Sequence, residues 1–210
     1  MTNHSHIAAA EAGHINARLV SNRAHARQAF PDAPHLLNNA NMGRAFDTIS
    51  KWPGYTPTPL VDLPEIAAHC GVARVVYKDE STRLGLGAFK ALGGAYAVAD
   101  LVREQVAKGA NVGEVTVATA TDGNHGRSVA WGAQLAGCNA KIYIHKHVSK
   151  AREAAMQAYG AEVIRVHGNY EVSLADCRAD AEANGWHLVS DTSWEGYVDV
   201  PRAIMAGYTV

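Results

Sequence analysis

Cysteine and surplus charge are scarce in this chain, and no long apolar run opens it. The three cysteines, Cys70, Cys138 and Cys177, stand far apart and form no Cys-x-x-Cys pair, which excludes a disulfide framework and the usual zinc and dithiol sites. They read as reduced core thiols of a cytoplasmic protein. Nineteen lysines and arginines stand against 20 acidic residues, a net charge of -1, so no basic surplus is available to hold nucleic acid or an anionic membrane surface. Glu11, His14, Asn16 and Arg18 interrupt the alanine-rich start, so neither a secretory leader nor a membrane span is expected there.

What is present is ordinary for a globular protein: 210 residues, 48% hydrophobic, enough for one sizeable core or two small ones. A helix is expected from Ile7 to Phe30 within an N-terminal arm, ending before Pro31 and Pro34. Four prolines between Trp52 and Pro64 mark a shaped loop, and a short helix follows from Pro64 to His69, stopped by Gly71. From there strands and helices alternate. The expected strands are Ala73–Lys78, Val115–Ala120, Ala140–His145, Ala161–Val166 and Trp186–Ser190. The intervening helices are expected at Phe89–Lys108, Gly126–Ala136, Ser149–Tyr159 and Tyr170–Asn184, each followed by glycine. That alternation means an α/β protein with a doubly wound parallel sheet, in which ligands bind beyond the carboxyl ends of the strands.

Two loops leave strands at that end, and both carry chemistry. Gly85-Leu-Gly-Ala-Phe-Lys90 lacks the residue order of a nucleotide phosphate loop and the third glycine of the dinucleotide fingerprint. On composition alone Lys90 is a solvated residue near a helix start. As a free amine it could instead trap a carbonyl cofactor as an imine, with the glycines letting backbone approach closely. The second loop, Thr121-Asp-Gly-Asn-His-Gly126, opens a helix, where Asp122 is equally suited to a plain N-cap. The eleven histidines include His145-Lys-His147, but nothing nearby completes a ligand set, so no metal is expected.

Three stretches together resemble the fold type II pyridoxal phosphate enzymes: Thr58-Pro-Leu60, Tyr77-Lys-Asp-Glu-Ser-Thr-Arg83 through Phe89-Lys90, and Gly123-Asn-His125. Within that group Leu84 to Gly94, Ala120 to Arg127 and Ser190-Asp-Thr-Ser-Trp-Glu-Gly-Tyr197 resemble the diaminopropionate ammonia-lyase family. The resemblance implies a three-layer αβα architecture. It further implies that Lys90 carries pyridoxal 5'-phosphate as an imine, that Phe89, Gly123, Asn124 and His125 surround the cofactor, and that Asp122 and Asp191 serve an amino-acid substrate. Asn124 would face the ring hydroxyl, and His125 would support the loop.

By the same resemblance, residues 41–92 begin a large cofactor-binding domain, 93–168 form a small α/β domain, and 169–210 return to the large one. Members of the family form homodimers and are about twice as long, so the C-terminal half, with its phosphate-gripping loop, is expected to be missing. An incomplete sheet would expose a strand edge and an apolar face. Three readings follow: elimination of ammonia from 2,3-diaminopropionate, a serine- or threonine-type dehydratase, and a noncatalytic fragment of such an enzyme. Asp122 favours the first, because an anion there repels an ordinary carboxylate but pairs with a second ammonium.

Overall fold

The computed structural model describes residues 37–210, and the expected helix from Ile7 to Phe30 lies outside them. Helix α1 (Asn39–Ile49) opens on Asn38, whose side chain accepts the amide of Asn41. Strand β1 (Leu60–Asp62), helix α2 (Pro64–Cys70) and strand β2 (Val76–Lys78) follow, with proline in the first turn of α2 and left-handed Gly71 at its end. The regular part then runs α3 (Lys90–Ala107), β3 (Thr116–Ala120), α4 (Asn124–Ala136), β4 (Asn139–His145), α5 (Lys150–Gln157), β5 (Glu162–Val166), α6 (Tyr170–Asn184), β6 (His187–Leu188) and α7 (Asp199–Gly207).

The expected parallel sheet is present as four strands in the order β5-β4-β3-β6, every neighbour pair parallel. One expectation is corrected. The strand at Ala73–Lys78 does not join that sheet: its Val76–Lys78 core pairs antiparallel with β1, Leu60 opposite Lys78, in a separate two-stranded ribbon. The physical reason is burial. A strand inside a parallel sheet is covered on both faces, as β3 is from Val117 to Ala120, whereas Val76, Tyr77 and Lys78 are all exposed. The ribbon leaves Leu60, Val61, Val76 and Tyr77 open to solvent.

Alternation along the strands divides the core into two layers. Val117, Ile142 and Ile144 point with Val189 into the side holding α3, α4, α5 and α7, where they meet Val98, Val129, Met156 and Ile204. Ala118, Ala120 and Tyr143 point the other way, against Cys177 and Ala181 of α6. The sheet is thus sandwiched between helices, the three-layer αβα arrangement.

The layer that matters most for function is the α3–α4 pair, which approaches closely through small residues. A Cβ placed on Gly132 of α4 would lie 2.6 Å from the Ala95 Cα of α3. Gly132→Ala should therefore force the helices apart and lower stability by about 1–3 kcal/mol. Gly43→Ala in α1, where nothing lies within 4 Å, should be neutral or stabilising by up to about 1 kcal/mol. Denaturant midpoints of the two variants, at unchanged slope, check both statements.

Candidate active site

Lys90 is the first residue of α3, and three sets of bonds fix its backbone. The preceding loop turns through left-handed backbone at Leu84, Gly85 and Gly87, with φ of 51°, 68° and 69°. Arg83, buried at 3% exposure, pairs with Glu80 and donates to the Thr58 hydroxyl and the Thr56 carbonyl, joining the Thr-Pro-Leu segment to the start of the loop. Its guanidinium holds the Glu80 carboxyl below the usual carboxylate range. From the other side Arg127 donates to the carbonyl of Leu86 at 3.0 Å, and the Ser128 hydroxyl donates to the carbonyl of Lys90 at 2.7 Å while accepting the amide of Ala95. The lysine stem therefore leaves a rigid floor.

Its ammonium donates to Oδ2 of Asp191 in an ion pair between side chains 35% and 22% exposed. Asp191 follows β6, and the Tyr197 hydroxyl shapes this exit by accepting the amide of Ser190 at 2.8 Å and donating to the carbonyl of Leu188 at 2.9 Å. The Tyr197 ring stacks on Trp194 at 4.1 Å. Burial pushes the Asp191 carboxyl up, but His125 and Lys90 outweigh it and hold the group below its ordinary value.

His125 lies in the first turn of α4 and is 4% exposed. Its Nε2–H donates to the carbonyl of Val189 at 2.8 Å, which leaves Nδ1 as a buried lone pair with no hydrogen-bond partner, 3.8 Å from Asp191. Burial holds this imidazole below its ordinary pKa, while the Asp191 carboxylate beside it pulls the other way. His125 thereby ties α4 to the segment that leads to Asp191.

Thr121 rather than Asp122 prepares the α4 N-terminus: its hydroxyl accepts the amides of Gly123 and Gly126 at 3.1 and 3.0 Å. Asp122 makes no cap and is freed for the cleft, its side chain 63% exposed and Oδ1 2.9 Å from Nε2 of His145. Asn124 is exposed with its amide unpartnered among the described residues. A cleft of about 320 Å³ is lined by Lys90, Asp122, Asn124, Arg152, Tyr170 and Asp191, with Gly123 and His125 in its wall. Phe89, by contrast, turns away and packs on Tyr208 with ring centroids 5.0 Å apart.

Sequence reasoning passed over Arg152, Tyr170 and His145. Arg152 and Tyr170 begin or follow helix starts that carry no motif. His145 had a signal. In parallel neighbours, positions beyond paired residues lie side by side, and Ala120 of β3 pairs with Tyr143 of β4, which places Asp122 beside His145 two residues on.

The profile of the family described as "Pyridoxal-phosphate dependent enzyme" matches residues 51–208. The chain is 43% identical over 182 residues to the diaminopropionate ammonia-lyase of Escherichia coli, covering 81% of this chain and 45% of that one. It is 36% identical over 190 residues to the protein of that name from Salmonella typhimurium, covering 82% and 46%. The crystal structure of the Escherichia coli protein in complex with an aminoacrylate-PLP azomethine reaction intermediate superposes with a TM-score of 0.75 at 43% identity, over 82% of this chain and 46% of that one. The chain spans about half the length of the curated relatives it matches.

The buried imidazole makes stability depend on pH. Because the folded-state pKa of His125 is depressed, the unfolded chain binds the proton more readily, and stability should fall as pH drops below about 6.5, by at most about 1.4 kcal/mol per pH unit. His125→Gln keeps a donor for the Val189 carbonyl and should flatten that slope. Urea titrations of both proteins between pH 5 and 7 measure it.

Proposed function

The chain belongs to the pyridoxal-phosphate dependent enzyme family, and from that premise we propose that it is a lyase acting on 2,3-diaminopropionate, converting it with one water to pyruvate and two ammonia molecules. The observation that carries this reading is Asp122, a carboxylate released from helix capping and set in the same cleft as the Lys90 amine.

The donors present fit the aldehyde end of pyridoxal phosphate. Lys90 supplies a primary amine held over a fixed backbone, Asn124 an unpartnered amide, and His125 an orphaned buried nitrogen in the cleft wall. Lys90, Gly123, Asn124 and His125 would hold the group, and Phe89 would close the Lys90 side from outside the cleft. When bound, the cofactor supplies an electron sink for the pair left at the substrate Cα.

The residues around it divide the remaining work. Asp191 orients the Lys90 amine by accepting its hydrogen bond. The α4 N-terminus, with its amides and positive dipole end, receives the substrate α-carboxylate. Asp122 pairs with the second ammonium, a charge that a simple hydroxyamino acid does not offer. Lys90 and Asp122 are two bases in one cleft, so the Cα proton can be taken by either, which would admit both stereoisomers of the diamino acid. Residues 93–168 would form the smaller domain, with 41–92 and 169–210 belonging to the larger cofactor-binding one. Its cysteines are free thiols, Cys177 buried, Cys138 partly buried and Cys70 exposed rather than in the core; reduced thiols fit a cytoplasmic protein, and a homodimer is the assembly that the resemblance implies.

Borohydride reduction of the chain with pyridoxal phosphate, followed by peptide mapping, should place the adduct on Lys90. Pyruvate should form from diaminopropionate with little oxoacid from threonine, and Lys90→Ala should lose the adduct and at least about 100-fold in rate. Oxoacid from threonine in preference would favour the dehydratase reading, and label scattered over surface lysines would defeat the cofactor assignment.

A further inference from the structure

His145 stands at the carboxyl end of β4, outside every motif, with its side chain 17% exposed and Nε2 2.9 Å from Asp122 Oδ1. The main chain settles its proton. The amide of His147 donates to Nδ1 of His145 at 3.1 Å, so that nitrogen must carry a lone pair and the ring proton sits on Nε2, aimed at Asp122. The two guanidiniums in the neighbourhood are engaged elsewhere, Arg152 on the Asp122 carbonyl at 3.2 Å and Arg165 on the His145 carbonyl at 3.3 Å. Among the described residues, His145 is the one side chain bonded to the Asp122 carboxylate.

We propose that His145 is the positioning residue for Asp122: as a neutral donor locked on one nitrogen, it anchors Oδ1 and leaves Oδ2 and the full negative charge for the substrate. This rests on the lyase reading above for its consequence, though not for its geometry. A lysine or arginine in the same place would also hold the carboxylate, but would neutralise it and compete with the substrate ammonium. A neutral imidazole fixes direction without cancelling charge. Its own direction is fixed in turn by the His147 amide, a hydrogen bond that is lost once Nδ1 takes up a proton.

The first test needs no turnover. In the chain labelled with ¹⁵N-histidine, the imidazole signals of His145, assigned by their loss in His145→Gln, should show the neutral Nε2–H tautomer, and the Nε2 signal should move in Asp122→Asn. The Nδ1–H tautomer, or an Nε2 signal indifferent to Asp122→Asn, overturns the proposal. The second test is kinetic and uses diaminopropionate. His145→Ala should lower kcat/KM about 10-fold or more. His145→Gln, whose Nε2 amide reaches the same place, should stay within about threefold of wild type, while His145→Asn should not. In an Asp122→Asn background the His145→Ala loss should shrink to less than about twofold, because both changes act through one carboxylate. Equal losses for Gln and Ala, or losses that multiply in the double variant, overturn it. Circular dichroism separates these outcomes from misfolding. A wild-type chain that does not turn over diaminopropionate defeats the lyase reading alone, and the NMR result then decides the role of His145.

Discussion

The ion pair between Lys90 and Asp191 is the constraint on which the rest of the site depends. It joins residues 101 positions apart, linking the start of α3 to the exit of β6, and each partner arrives on a segment locked by its own hydrogen bonds. A half-buried carboxylate is costly unless a cation faces it. Lys90 is the cation bonded to it directly, while burial of His125 works against a charge on the imidazole. The amine is thereby held at one point of the cleft before any ligand arrives, which is the preorganisation that covalent attachment needs.

Around this pair the fold divides its labour cleanly. The sheet brings the 121–125 loop and the β6 exit to the same end. The α3–α4 contact, made close by Gly94, Ser128 and Gly132, brings the Lys90 loop against them. Ser128 takes part in both: it fills the space beside Gly94 and bonds the carbonyl of Lys90, so helix packing and site geometry are set by one hydroxyl.

Much of this was legible in the sequence. Strand and helix periods located the parallel sheet, and the glycines after the helices marked their left-handed ends. The two loops were identifiable from residue type and spacing, and the structure brings Lys90, Asp122, Asn124, His125 and Asp191 to one cleft. What escaped depended on tertiary pairing. The antiparallel partner of Val76–Lys78 is invisible to a local pattern, because a three-residue strand has the same composition whether it is buried or exposed. Phe89 adjoins Lys90 in the chain yet faces Tyr208, since one step along a helix start turns the side chain by about 100°.

The Thr121 hydroxyl takes up the amides of Gly123 and Gly126 at the start of α4, which relieves the next position of structural duty. Asp122 is held by a single imidazole and contributes nothing to helix ends or core, so its side chain can change while the scaffold stays the same. On the proposed lyase reading, substrate choice and fold stability are thus written into adjacent residues, and selection can act on one without disturbing the other.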